Sequence, residues 1–118
     1  MKEGRNMDTI ESNLKYFRET HGEIYEAYEE FGKRLHTEGG PLDEKTRWLV
    51  KVGISTTNQN HYALKTHIRK ALKHGCSREE VEHAILLAAT TAGFPRTMEG
   101  VLILREVMGE TDEPVLTR

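Results

Sequence analysis

The residues best suited to chemistry crowd into one short run. Between Asn58 and Gly75 the chain reads NQNHYALKTHIRKALKHG, with three of its six histidines, a tyrosine, several basic residues and no carboxylate. On a helix advancing about 100° per residue, Leu64, Ile68, Ala71 and Leu72 form the buried face. Asn60, Ala63, His67 and His74 follow one edge of that face, His61 and Lys65 the other, while Tyr62, Thr66, Arg69 and Lys73 point away. At the edge, the His67 imidazole can keep one nitrogen hydrogen-bonded to protein and offer the other to a cavity, which suits a general acid–base. The same spacing also fits a satisfied structural histidine. This helix alone does not make a metal centre. His67 and His74 stand roughly 10 Å apart along the axis, His61 and His67 diverge by about 120°, and no His-Glu-x-x-His or Cys-x-x-Cys pattern occurs.

Two further groups have chemical potential. Cys76 directly precedes Ser77, the residue placed to cap the next helix. A small thiol there can pack as an apolar group, although the nearby helix N-terminus would also activate a nucleophile. As the only cysteine, it excludes an intrachain disulfide and a dithiol couple. Arg96, in GFPR at 93–96, falls in the first turn of a helix, where a guanidinium and backbone amides can meet an anion. GFPR is helix punctuation in any case. Tyr62, on the polar face, marks either open surface or a subunit contact, and Glu26, Glu29 and Glu30 read as a solvated helix face.

The elements that must position these groups are helical. Sustained alternation and Asn-Gly or Asp-Gly turns are missing, and the β-branched residues fall into helical spacing. A first helix is predicted from Asp8 to about Thr20, with Ile10, Leu14 and Phe17 on one stripe. Gly22 breaks it, and a second carries Ile24, Tyr28, Phe31 and Leu35 until EGGP stops it. Asp43 caps a third, containing Trp48, Leu49, Val52 and Ile54. The histidine-rich run is the fourth. Ser77 and Glu80 form a capping box for a fifth, burying Val81, Ile85, Ala88 and Ala89. Gly93 closes it, and Pro95 opens a sixth through Val101, Leu104 and Val107. The expectation is an all-α, compact bundle of about six short helices: one domain over 8–109, with flexible tails at 1–7 and 110–118.

Composition bounds the function. A chain of 118 residues, 36% hydrophobic and 31% charged, builds a thin core or hides apolar surface in an oligomer. Charges of both signs interleave to a net −2, so no basic field draws the protein to nucleic acid or membrane. The start, MKEGRNMDTI, has no apolar signal core, and no apolar run is long enough to span a bilayer. The expected location is cytoplasmic.

LDEKTR, THIRKALKHGCSREEV and LLAATTAGFPR, within a similarity covering about Phe31 to Gly109, resemble the carboxymuconolactone decarboxylase family, which includes the alkyl hydroperoxidase D-like proteins. The resemblance implies a small all-α domain, assembly into a homotrimer or homohexamer, and no cofactor. Peroxidase-like members look like Glu, eleven residues, Cys-x-x-Cys, three residues and His. Aligned on H-x-R-x-A-L-K, the histidine falls on His67, the cysteines on Asn60 and Ala63, and the glutamate on Trp48. Three of the four residues of that relay are absent, so the thiol chemistry of those members is not expected.

The decarboxylase branch needs no cysteine and keeps a histidine at His67. Its implied role is to move a proton as carbon dioxide leaves a small carboxylated metabolite. Asn60, Ala63 and Trp48 are the implied surroundings, and Arg69 or Arg96 the implied carboxylate holder. Arg69 points away from its own core and would contribute only across an interface. The alternative is an oligomeric binding module without catalysis. Peroxiredoxin-type antioxidant activity ranks behind both.

Overall fold

A computed structural model describes the backbone of residues 2–111 and the side chains of residues 9–111. Among the described residues there are seven helical segments: α1 (Lys2–Thr20), α2 (Gly22–Glu38), α3 (Glu44–Asn58), α4 (His61–Lys73), α5 (Arg78–Leu86), α6 (Ala89–Ala92) and α7 (Phe94–Val107). They divide into two compact units, residues 1–41 and 42–118. The expected all-α fold is what the chain adopts.

In the first unit, α1 starts at Lys2, ahead of the apolar stripe from which a start at Asp8 was inferred. The break falls at His21, whose φ of −130° and ψ of 53° leave the helical region. Phe17, His21 and Tyr25 gather at this corner, with ring centroids 5.0 and 6.4 Å from Phe17. The Arg18 guanidinium lies 5.4 Å from the Tyr25 ring. Ile24, Tyr28, Phe31 and Leu35 all remain exposed, and α2 has no buried residue. Helical periodicity identifies an apolar face but not what covers it.

The second unit holds the core. Val52, Leu64, Ile68, Val81, Ile85, Ile103 and Leu104 are essentially inaccessible, each contributing about 1.5–3 kcal/mol by burial. Here α3 packs against α4, α5 and α7, and α4 packs against α7. The α3–α4 turn closes through Gln59, held in the left-handed region at φ 55°, so that Asn60 N–H donates to the Ser55 carbonyl. Gly75 does the same for the end of α4 at φ 101°, as glycine does at no steric cost. No helix among the described residues is long and apolar enough to cross a membrane.

Three caps read from the sequence are present. Asp43 accepts from Thr46 N–H, Ser77 and Glu80 form their reciprocal box, and Pro95 stands in the first turn of α7. The predicted fifth helix is broken instead into α5 and the single turn α6, where Ala88 N–H donates to the Ile85 carbonyl and Thr91 N–H to the Ala88 carbonyl, each three residues back. The inward face of α7 is also rotated from the expected one. It presents Thr97, Gly100, Ile103 and Leu104, with Val101 and Val107 at its margin. The small residues permit close approach: a Cβ on Gly100 would stand 2.8 Å from Ile85 Cγ2 and 3.1 Å from Thr56 Cγ2.

Of the tail expected at 110–118, residues 112–118 lie outside the described residues. Glu110 is anchored: Arg78 Nε and Nη2 donate to its two carboxylate oxygens at 2.5 and 2.7 Å. This pair ties the end of α7 to the start of α5.

Candidate functional site

His67 lies mid-way along α4, half-buried, with Leu64 and Ile68 beneath it in the core. Its Nδ1 is hydrogen-bonded to Ser55 Oγ at 2.7 Å. Ser55 is only 3% exposed, so this hydroxyl fixes the ring from the inside of α3. Which atom carries the shared proton follows the tautomer of the imidazole. Ser55 was not among the residues singled out from the sequence. Its signal was there: Trp48, Val52 and Ser55 fall at i, i+4 and i+7, and a small hydroxyl on an otherwise apolar inward stripe has a partner to find.

Trp48 joins this pair to a second histidine. Its ring centroid is 6.0 Å from that of His67 and 5.8 Å from that of His74, the latter parallel to within 7°. His74 caps the C-terminal end of α4, and its Nδ1 stands 3.1 Å from a carboxylate oxygen of Glu44. The two rings too far apart along one helix to share an ion are thus linked through an indole on the neighbouring helix. Lys51 Nζ and Lys70 Nζ lie 5.9 and 5.8 Å from the Trp48 ring centroid, within cation–π range. The result is an indole in contact with two imidazoles and within reach of two ammonium groups.

The remaining sequence candidates fall in several places. Asn60 is exposed and is the N-cap of α4: its Oδ1 accepts from Ala63 N–H at 3.0 Å. The two positions that align with cysteines are therefore the cap and the third residue of one helix, joined by a hydrogen bond. Ala63 is half-buried. Arg96 is exposed and donates to the Thr57 carbonyl at 2.5 Å, tying α7 to the end of α3. Arg69, on α4, is half-buried. Beside the same turn, Glu99 accepts from Gln59 Nε2 at 3.2 Å and stands 3.1 Å from His61 Nε2. These contacts hold the α3–α4 turn against α7. Lys65 and Glu106, 2.9 Å apart and largely buried, make a further α4–α7 link.

Cys76 is 5% exposed and packs in the core. Burial pushes its thiol pKa above the ordinary value, and the nearby Glu80 carboxylate adds to the rise. Glu80 itself is held below the usual carboxylate range, first by the Ser77 backbone N–H it accepts and then by Lys45. The environment thus disfavours a thiolate. Among the described residues, no three His, Cys, Asp or Glu side chains converge to hold a metal ion.

A groove of about 450 Å³ runs between α3 and the α5–α6 segment. Leu49, Val50 and Ile54 form one wall and Ala84, Leu87 and Ala88 the other, with Glu80 and His83 at the rim. His67 is not among its lining residues. Cavity and imidazole occupy different faces of α3: Trp48, Val52 and Ser55 look toward α4, while Val50, Gly53 and Ile54 look into the groove. The groove offers an apolar surface with few polar groups, whereas the imidazole and its partners bring titratable side chains together.

The second unit is a small all-α domain whose helices enclose an apolar core, with His67 held at the inner edge of α4. The chain belongs to the carboxymuconolactone decarboxylase family, whose model matches residues 22–106. Among relatives, uncharacterized protein MJ1511 of Methanocaldococcus jannaschii is 31% identical over 88 residues, covering 75% of this chain and 81% of that one. Nitrosuccinic acid decarboxylase npaB of Metarhizium robertsii is 28% identical over 69 residues, covering 58% and 48%. In fold, the crystal structure of apo-lpg0406, a carboxymuconolactone decarboxylase family protein from Legionella pneumophila, superposes with a TM-score of 0.78. It shares 22% identity and covers 92% of this chain and 96% of that one.

Proposed function

We propose that the protein is a decarboxylase-like enzyme of the cytoplasm acting on a small carboxylated metabolite, with His67 as the acid–base. The observation that carries this reading is the hydrogen bond between His67 and the buried Ser55, set beside Trp48 and two lysines. Loss of carbon dioxide breaks a carbon–carbon bond and leaves the electron pair on carbon. That carbon must take a proton, which an imidazolium at His67 supplies before recovering one from water. Ser55 acts as a positioning residue by fixing the ring. Lys51 and Lys70 would attract the anionic substrate to the indole, and Trp48 and Ala63 would shape the surface beside the imidazole. Arg96 already serves the Thr57 carbonyl, which favours the lysines over it as carboxylate holders. A relative named for the decarboxylation of nitrosuccinic acid supports the same substrate class. The working form proposed is a homotrimer or homohexamer; the exposed apolar stripe of α2 favours self-association and carries no copy number.

The test is a screen of small di- and tricarboxylic acids and lactones, reading carbon dioxide release and the fluorescence of the single tryptophan, with wild type and His67→Ala side by side. A ligand that quenches both proteins but is turned over only by wild type supports the reading. Failure of every ligand to separate the two sinks the role of His67.

A further inference from the structure

The side chains around His67 form a series that crosses repeatedly between α3 and α4. Glu44, Trp48 and Ser55 fall at i, i+4 and i+11 on α3, and His67 and His74 at i and i+7 on α4. Each set therefore lies along one face of its helix. Glu44 Oε2 stands 3.1 Å from His74 Nδ1, and the His74 ring lies parallel to the Trp48 indole. The indole tilts by 43° against His67, whose Nδ1 meets Ser55 Oγ. In order of contact the five run Glu44, His74, Trp48, His67 and Ser55, changing helix at every step.

The inner end of this series is fixed by burial, since Ser55 is only 3% exposed. One hydrogen bond sets where Nδ1 of His67 stands, and the ring plane can still swing about it. The indole bounds that swing. Flat rings prefer tilted or offset-parallel contacts, and Trp48 makes a tilted one with His67 and a parallel one with His74. Trp48 is itself half-buried, so its side-chain rotamer answers to what packs on it. His74 is anchored in turn by Glu44. An ionised carboxylate only accepts, so a neutral ring with its proton on Nδ1 and a charged ring both satisfy it. Glu44 stands in the first turn of α3, where free N–H groups favour a carboxylate. His74 ends α4, where free carbonyls favour a proton donor.

We infer that Glu44 and His74 are positioning residues for His67: Glu44 anchors His74, His74 sets the indole of Trp48, and the indole sets the tilt of the His67 ring. The inference rests on the reading of His67 as the acid–base and adds two residues that act on it from the far end of the helix pair.

Ring-current shifts of the His67 Cδ2–H and Cε1–H protons report the indole's placement without any ligand. They are assigned by their loss in His67→Ala and read at about pH 9, above the ordinary imidazole range, so that protonation does not move them. His74→Ala should move both signals toward those of free histidine. His74→Phe, which returns a flat ring to the indole, should bring them back. Glu44→Ala changes a side chain that is 51% exposed, keeps the helix, and should move them the same way by less. Removing both residues should move them no further than His74→Ala alone, because the two act in series. On a substrate found by the screen above, His74→Ala should lower kcat by about 10-fold with KM little changed. Signals that stay in place in His74→Ala and Glu44→Ala overturn the inference, as does His74→Phe behaving like alanine. Turnover by wild type with those signals unmoved removes this relay and leaves the decarboxylase reading standing. Signals that move as expected, with no acid separating wild type from His67→Ala, uphold the positioning and overturn that reading.

Discussion

Ser55 Oγ and His67 Nδ1 share a hydrogen bond of 2.7 Å between the inner faces of α3 and α4. A hydroxyl can donate to an imidazole nitrogen or accept from it, so this contact fixes where the ring stands and is compatible with either tautomer. Ser55→Ala removes the partner of that nitrogen and should lose roughly 0.5–1.5 kcal/mol of stability, read by denaturant titration. Unchanged stability in Ser55→Ala would mean that another contact holds the ring.

The Asn60–Ala63 hydrogen bond explains what the chain does with the two positions that align with cysteines. Asn60 Oδ1 satisfies the Ala63 N–H in the first turn of α4, one of the donors a helix start leaves without a partner. Asn60→Ala should cost about 0.5–2 kcal/mol, and Asn60→Ser should recover most of it. Denaturant titration of the three proteins checks this. Equal loss from alanine and serine would show that the side chain acts other than as a cap.

Most of the helical plan could be read from local signals, because Asp43, Ser77 with Glu80, and Pro95 each act within a turn of themselves. The buried face of α4 could be read for the same reason: Leu64, Ile68 and Ala71 obey one period. What escaped the sequence depended on partners distant along the chain. Ser55 gains meaning only from His67 twelve residues on, and Gly100 turns inward because Thr56 and Ile85 come close. Trp48 could be aligned with a glutamate position, but its contact with both His67 and His74 needs the packing of α3 on α4. The α2 stripe was legible as a stripe, yet its exposure was not, since periodicity carries no information about what a face meets.

Arg78 and Glu110 give the protein a defined acid response. The hydrogen-bonded guanidinium holds the Glu110 carboxyl below the usual range. A depressed folded-state pKa means that the unfolded chain binds the proton more readily, so stability rises with pH in that window. The contribution is present above the ordinary glutamate pKa of about 4.3 and is lost as pH falls through the lower folded value. Glu110→Gln should flatten the acid limb of a pH–stability curve while changing its slope little above pH about 6. An unaltered acid limb would show that it is set by other carboxyls, such as Asp43 and Glu80, held low by their cap hydrogen bonds, and Glu19, held low by Lys15.

Gly100 is the tightest point between α7 and its neighbours. An added methyl would meet Ile85 Cγ2 at 2.8 Å and Thr56 Cγ2 at 3.1 Å. Both are methyls of β-branched side chains, which have few rotamers to escape into. Thr56 is held further by its hydroxyl, which donates to the Val52 carbonyl at 2.8 Å. Alanine in place of glycine favours a helix by about 1 kcal/mol, whereas overpacking a filled core costs about 1–3 kcal/mol. With neither neighbour able to move cheaply, the clash should win and Gly100→Ala should lower the thermal midpoint. Trimming one obstacle should ease the clash without removing it: Ile85→Val removes the methyl carbon at the end of the longer arm but keeps Cγ2, whereas Thr56→Ser removes Cγ2 itself and leaves the contact with Ile85. Gly100→Ala should therefore be less damaging in a Thr56→Ser background than in an Ile85→Val one, and a double-mutant cycle measures that difference. Equal damage in both backgrounds would mean that α7 shifts as a body instead of meeting Thr56.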